Sequence, residues 1–262
     1  VVRPVLAPTS VADTFRVTVE AFNIAEQYQT PVIVLSDGEI AQRKEIVEPI
    51  DTSEIAIVNR RRPTDRELEN YARFQITESG ISPISHPGMK GGNYLASGIE
   101  HNERGAPTAS GEVHARMNEK RIQKLRPLMT RRDLFRITGD AEAPIALVAW
   151  GSVAGVAEEA AIRARVEGIR LKLLVPRLLF PVAEAIYDDF FASVKAGPIV
   201  EQSHLGQFYR VLRMYVDLPR GLERMARSAA NPITAVELLE RLRRMAAAVN
   251  REHVPEPEPS LG

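Results

Sequence analysis

There is no cysteine in this chain, and that absence excludes disulfides, thiolate zinc sites and cysteine-ligated iron–sulfur clusters. An electron that passes through such a cluster must do so in another subunit. An excess of one charge is missing as well. Lys plus Arg and Asp plus Glu each total 34, so no global field draws the chain to nucleic acid or to anionic lipid. No apolar run reaches membrane-spanning length and no charged-then-apolar pattern opens the chain, which leads us to expect a soluble, cytoplasmic protein without a membrane partner. His86, His101, His114 and His204 lack the spacing of a metal-ligand set, so no metal site is expected. A complete G-x-G-x-x-G phosphate loop is absent too.

The 262 residues that are present suffice for one large or two modest domains, and two are expected. Val1 to Leu6 is strand-like and apolar, as if it lay inside a domain that starts upstream. Ser10 followed by Asp13 resembles a capping box, and Val11, Phe15, Val19 and Phe22 recur at helical spacing, predicting a helix over 11–28. Val32 to Leu35 is continuously apolar, as in a parallel strand buried on both faces. From about Ala41 to Gly92 prolines interrupt every period, predicting a long connector with short strands, the best at Ile55 to Val58. Its Arg60-Arg61-Arg62 triplet reads as a solvated basic turn.

Tyr94 to Ile99 is predicted as a short strand, and Glu112 to Arg126 as a helix studded with basic residues. That helix is either a solvated face, with Glu112 and Arg116 paired at i, i+4, or a surface for an acidic partner or a polyphosphate cofactor. From Ala143 onward strands and helices alternate: strand 145–150, helix 153–167, strand 169–175, helix 182–195, strand 198–201, helix 206–216. Such alternation predicts a parallel sheet with helices packed on it. Gly168 supplies a C-terminal cap for the helix before it. Asn231-Pro232 is expected to open a last amphipathic helix, and the Pro- and Glu-rich end to be disordered.

Three segments carry candidate chemistry. The first is Glu100-His101-Asn102-Glu103-Arg104-Gly105, which sets carboxylate, imidazole, amide and guanidinium side by side at the exit of a predicted strand. Glu100 and His101, with Asn102 and Arg104, either hold a polar substrate tail or form a network at a domain hinge, since no third residue completes a triad. The second is Gly151-Ser152 at a strand-to-helix turn, where free amides can bind an anion or Ser152 can act as an ordinary N-cap. The third is Glu201-Gln202 before Gly206-Gln207, lining a cleft or interface, or capping a helix.

These three segments, in this order, resemble the alpha subunit of 2-oxoacid:ferredoxin oxidoreductases, and the glutamate-histidine segment resembles its 2-oxoglutarate branch. The likeness runs from about Val5 to about Leu239. It implies an α/β fold in which the end of a thiamine-enzyme pyrimidine-type domain (1–92, with the connector) is followed by a linker strand and charged helix (93–142), a transketolase-C-like parallel-sheet domain (143–250) and a disordered tail (251–262). It also implies oxidative decarboxylation of a 2-oxoacid to an acyl-coenzyme A with electrons passed to ferredoxin, the organic chemistry being the cofactor's. Thiamine diphosphate with Mg and an iron–sulfur cluster are then expected in the assembled enzyme. They would be held by an upstream alpha-subunit segment and a thiamine-binding beta subunit, with none bound by this chain alone. The family's Tyr-Pro-Ile-Thr-Pro segment and its ring-activating glutamate do not occur here, so no catalytic residue is carried over and the isolated chain is expected to be inactive. The alternatives are half of another thiamine enzyme, such as a transketolase or a 2-oxoacid dehydrogenase E1 beta chain, and a noncatalytic assembly module.

Overall fold

A computed structural model describes residues 2–53, 55–228 and 231–251. The segment beyond residue 251, expected to be disordered, lies outside the described residues. β1 (Val5–Leu6) is followed by α1 (Val11–Tyr28), which has the predicted limits. The Ser10 hydroxyl accepts the Asp13 amide at 3.0 Å, one of the donors a helix start leaves over. The Asp13 carboxylate does not close the box. It accepts from the amide and the hydroxyl of Thr9 and pairs with Arg177 at 2.7 Å.

The predicted stripe on α1 is out of phase with the core. Val17, Ala21, Ile24 and Tyr28 are buried, whereas Phe22 is 70% exposed. Both sets have helical spacing, and tertiary packing chose between them. β2 (Ile33–Val34) is parallel to β1 as expected, yet it is an edge strand with Ile33 and Leu35 partly exposed. The order in this small sheet is β2-β1-β6, and β6 (Leu178–Phe180), which sequence patterning did not reveal, pairs antiparallel with β1.

Among its described residues the connector contains α2 (Gly38–Gln42) and α3 (Asp65–Leu68) as regular elements. The strand predicted at Ile55 to Val58 does not form a ladder. Asn23 of α1 takes the place of a partner strand, donating to the Ala56 carbonyl and accepting the Val58 amide, both at 2.8 Å. Next comes α4 (Gly111–Gln123), capped by Ser110 and slightly shorter than predicted, its end tightening into 3₁₀ turns through Leu134. Arg116 on it pairs with Glu103 at 3.5 Å, correcting the expected Glu112 pairing.

The second sheet has the order β3-β5-β4-β7-β8. β4 (Ile145–Ala149), β5 (Leu171–Pro176), β7 (Ala196–Glu201) and β8 (Gly221–Ala226) are parallel, and β3 (Phe135–Gly139) is an antiparallel edge. β3 and β8 were not predicted; only their ladder hydrogen bonds mark them. Alternation along β4 sends Ile145, Leu147 and Ala149 to one apolar layer with α5 (Val153–Val166) and α8 (Ala235–Arg251). Ala146 and Val148 face the other layer, with α1, α6 (Glu184–Phe191) and α7 (Gln207–Tyr215), as period-two geometry requires. α6 is shorter than the 182–195 predicted. Gly168 turns the chain after α5 at φ 81°. The last helix is capped by Thr234, not Asn231: Thr234 and Glu237 exchange hydrogen bonds in a reciprocal box.

Candidate functional site

Residues 94–99 do not form the predicted strand. Tyr94 stacks edge-on against Tyr71 and Phe74, and the chain then folds back on itself, so that a side chain on Gly105 would meet the Leu95 carbonyl. His101 makes a single bridge with Pro107. Asn102 holds the turn, its side-chain oxygen accepting the Arg104 and Ala106 amides at 3.0 and 3.2 Å. Arg104 reaches the Tyr71 carbonyl and the Asn70 side chain. Glu103 accepts the Ile76 amide at 3.1 Å. The turn therefore fastens residues 70–76 to α4.

Glu100 is the centre of this network. It accepts from Arg121 at 2.8 Å, from His114 Nδ1 at 2.6 Å and from the His101 amide at 3.2 Å. The Arg121 guanidinium first, then the His114 and His101 bonds, hold its carboxyl down at about 2, against the opposing effect of burial. His101 points its Nδ1 at the adjacent Asn102 carbonyl and packs its ring on Phe74, with centres 4.0 Å apart. Among the described residues no side-chain acid or base partner engages its ring.

At the carboxyl ends of β4 and β7 lie the other two segments, where parallel sheets present their loops. Gly151 adopts φ 66°, and the Ser152 amide donates to Asp37 Oδ2 at 2.7 Å. The anion at this helix start is thus a carboxylate of the chain itself. Ser152 makes no side-chain cap, which corrects that expectation. Asp37 also caps α2 through its other oxygen; its place before Gly38 signals the cap, but nothing in sequence signals the link to Ser152, 115 residues away.

Glu201 is fully buried. It accepts the Phe208 and Tyr209 amides, both at 3.1 Å, and the Ser203 hydroxyl at 3.0 Å, so it caps α7 from the end of β7. Gly206 enters that helix in the left-handed region, φ 65°, and its amide donates to Ser203. Gln202 presents a buried side-chain oxygen with no hydrogen-bond partner among the described residues. The structure does not merge the three segments into one site. The 100–105 turn belongs to α4, and the other two share the sheet's carboxyl edge.

Sequence reasoning missed a cavity of about 150 Å³ beside the 100–105 turn, lined by His101, Arg73, Lys120, Arg121 and Lys124 among others. The basic spacing on α4 was its only signal. Lys120 and Lys124 are held down to about 8, by burial first and by neighbouring cations second.

The chain thus joins a small mixed sheet to a mostly parallel α/β sheet that carries two of the three candidate segments at its carboxyl edge. The family described as "Pyruvate flavodoxin/ferredoxin oxidoreductase, thiamine diP-bdg" matches residues 2–120. Subunit alpha of 2-oxoacid:ferredoxin oxidoreductase 2 from Aeropyrum pernix is 32% identical over 82% of this chain and 34% of its own length. The 2-oxoglutarate synthase subunit KorA from Methanocaldococcus jannaschii is 28% identical, over 78% of this chain and 53% of its own. Among solved structures, the 2-oxoglutarate:ferredoxin oxidoreductase from Magnetococcus marinus, with 2-oxoglutarate, coenzyme A and succinyl-CoA bound, superposes with a TM-score of 0.84 at 31% identity. It covers 93% of this chain and 42% of that one.

The chain is thus similar to alpha subunits of 2-oxoacid:ferredoxin oxidoreductases, and it spans about a third to a half of the length of the relatives it matches. Its fold is α/β with a mostly parallel main sheet, as expected. Among the described residues no helix is long and apolar enough to cross a membrane. The chain offers no cysteine to ligate an iron–sulfur cluster.

Proposed function

We propose that this chain is part of the alpha subunit of a thiamine-diphosphate-dependent 2-oxoglutarate:ferredoxin oxidoreductase, which decarboxylates its substrate oxidatively to an acyl-coenzyme A. The observation that carries this reading is the superposition on the Magnetococcus marinus enzyme over 93% of the chain. Thiamine diphosphate supplies the carbanion chemistry when bound, and no step is routed through residues of this chain. Their part is positional. Asp37 joins the connector to α5, Glu201 fixes the loop after β7, and the 100–105 turn fixes the connector to α4. Glu100, His101, Asn102 and Arg104 then act at a domain or subunit boundary near the cofactor. Gly151, Ser152, Glu201, Gln202 and Gly206 form the loop edge that faces the rest of the assembly.

The partners are the upstream alpha-subunit segment, the thiamine-binding beta subunit, and coenzyme A and ferredoxin through the complex. The test is co-expression with upstream alpha sequence and a beta subunit, followed by coenzyme-A-dependent reduction of ferredoxin with 2-oxoglutarate or pyruvate. Turnover with 2-oxoglutarate, and none from the chain alone, is the expected result. Turnover with pyruvate alone would reassign the substrate, and a stable complex without any turnover would leave a noncatalytic assembly module. In the active complex His101→Ala should leave maximal turnover within about tenfold while weakening assembly or substrate binding. A general acid or base would cost about 10²–10⁴-fold.

A further inference from the structure

The cavity beside the 100–105 turn gathers cations that the described residues do not neutralise. Met117, Lys120, Arg121 and Lys124 follow the i, i+3, i+4, i+7 spacing of one face of α4, and all four line it. Arg73 comes from the opposing loop, its guanidinium 5.1 Å from the centre of the Phe74 ring. The Lys120 ammonium donates to the Gly80 carbonyl and the Lys124 ammonium to the Gln29 carbonyl, both at 2.9 Å. Each ammonium has further donors to give.

The two carboxylates nearby are already engaged. Glu100 is held by Arg121 and His114, and Glu103 pairs with Arg116. Among the described residues neither lysine nor Arg73 has a carboxylate within ion-pair distance. Gln29 shapes the wall: it ends α1 in the left-handed region, at φ 48°, and its side chain donates to the Ser82 carbonyl, so the acceptor for Lys124 is fixed by helix geometry. Half-buried cations crowded in this way repel one another and lack solvent to compensate. The low proton affinity of both lysines has the same origin.

We propose that this cavity is a phosphate-binding site, in which Lys120, Lys124 and Arg73 take the oxygens of one phosphate group with Arg121 and His101 at its margin. Three cations without a counter-charge match a dianion better than a single carboxylate. A volume of about 150 Å³ suits one phosphate group, with any organic remainder lying outside. The site stands on its own geometry and does not rest on the oxidoreductase reading. Its phosphate is either the free ion or a phosphate ester of a nucleotide-like molecule.

Titration calorimetry of the full chain at constant ionic strength tests this, with inorganic phosphate, adenosine 3′,5′-bisphosphate and succinate as ligands. The expected result is single-site phosphate binding, weakened about tenfold or more by Lys120→Gln and by Lys124→Gln and unchanged by Lys195→Gln outside the cavity. Arg73→Gln, which leaves α4 intact, should show the same loss, so a folding defect in a lysine variant still leaves the site testable. Tighter binding of the bisphosphate identifies an ester, and tighter binding of inorganic phosphate identifies the free ion; either supports the site. Succinate binding as tightly as phosphate would overturn it. So would phosphate affinity unmoved by both Lys120→Gln and Arg73→Gln, or no phosphate binding up to about 10 mM.

Discussion

Glu201 and Glu100 occupy corresponding roles in two regions of the chain and are held in opposite ways. Glu201 is fully buried at the exit of a central strand and takes two of its three hydrogen bonds from main-chain amides of α7. Glu100 lies in irregular chain, its side chain 22% exposed, and depends chiefly on the side chains of Arg121 and His114. The amides at a helix start are oriented by the helix itself, so engaging them orders nothing further. Side-chain donors must each surrender rotamer freedom, and solvent competes for them. The sheet region therefore has rigid joints, whereas the connector is fastened by joints that can be released one at a time.

Removing the rigid joint should have the largest effect. Glu201→Ala leaves the Phe208 and Tyr209 amides without their acceptor inside the protein, and we expect a loss of roughly 3–5 kcal/mol. Chemical denaturation measures it. Glu201→Gln keeps one acceptor oxygen and should cost clearly less. Equal stabilities for Glu201→Ala and the parent chain would show that α7 does not depend on this carboxylate, and the comparison would collapse.

Gly151→Val comes next, at about 1–3 kcal/mol. The glycine sits at φ 66°, and a Cβ there would lie 2.6 Å from Asp37 Oδ2, so the substitution strains the backbone and pushes the carboxylate off the Ser152 amide together. His101→Ala, which loses one ring contact with Phe74, should lower the melting temperature less. A larger drop for His101→Ala than for Gly151→Val would place the rigid joint in the wrong region.

The same division explains what could be read without a structure. α5, β4 and β7 were legible because buried strands and amphipathic helices write their environment into residue order. The chain from 41 to 110 was not, since its order comes from single side chains: Asn23 stands in for a strand beside Ala56 and Val58, and Asn102 ties its own turn. Such contacts leave no period. On α1 two apolar faces were equally good, and only packing separated Val17 and Ile24 from Phe15 and Phe22. β3 and β8 failed to show because an edge strand with exposed charged residues lacks a continuous apolar run. At the candidate sites, Glu201 and Glu100 were found by residue type. Asp37 and Lys124 act through partners far away in sequence, which no local pattern reports.

The smallest effect has the most specific signature. The folded chain holds the Glu100 carboxyl at about 2, below its usual 4.5, so the unfolded chain binds a proton more readily than the folded one over that interval. By linkage, the stability contributed by ionised Glu100 is fully present above the unfolded value and disappears as pH falls through about 2. Because the network is partly solvated, its worth at neutral pH is screened to about 0.5–1 kcal/mol. Glu100→Gln should therefore unfold at slightly lower denaturant than the parent at pH 7, and the difference should shrink steadily below pH 4.5. Raising salt to about 1 M, where the screening length falls to about 3 Å, should shrink it as well, while leaving the loss in Glu201→Ala, which comes from unpaired amides, largely in place. A Glu100→Gln deficit that ignored both pH and salt would mean that Glu100 is held for its shape, as Glu201 is, and the two regions would no longer differ in kind.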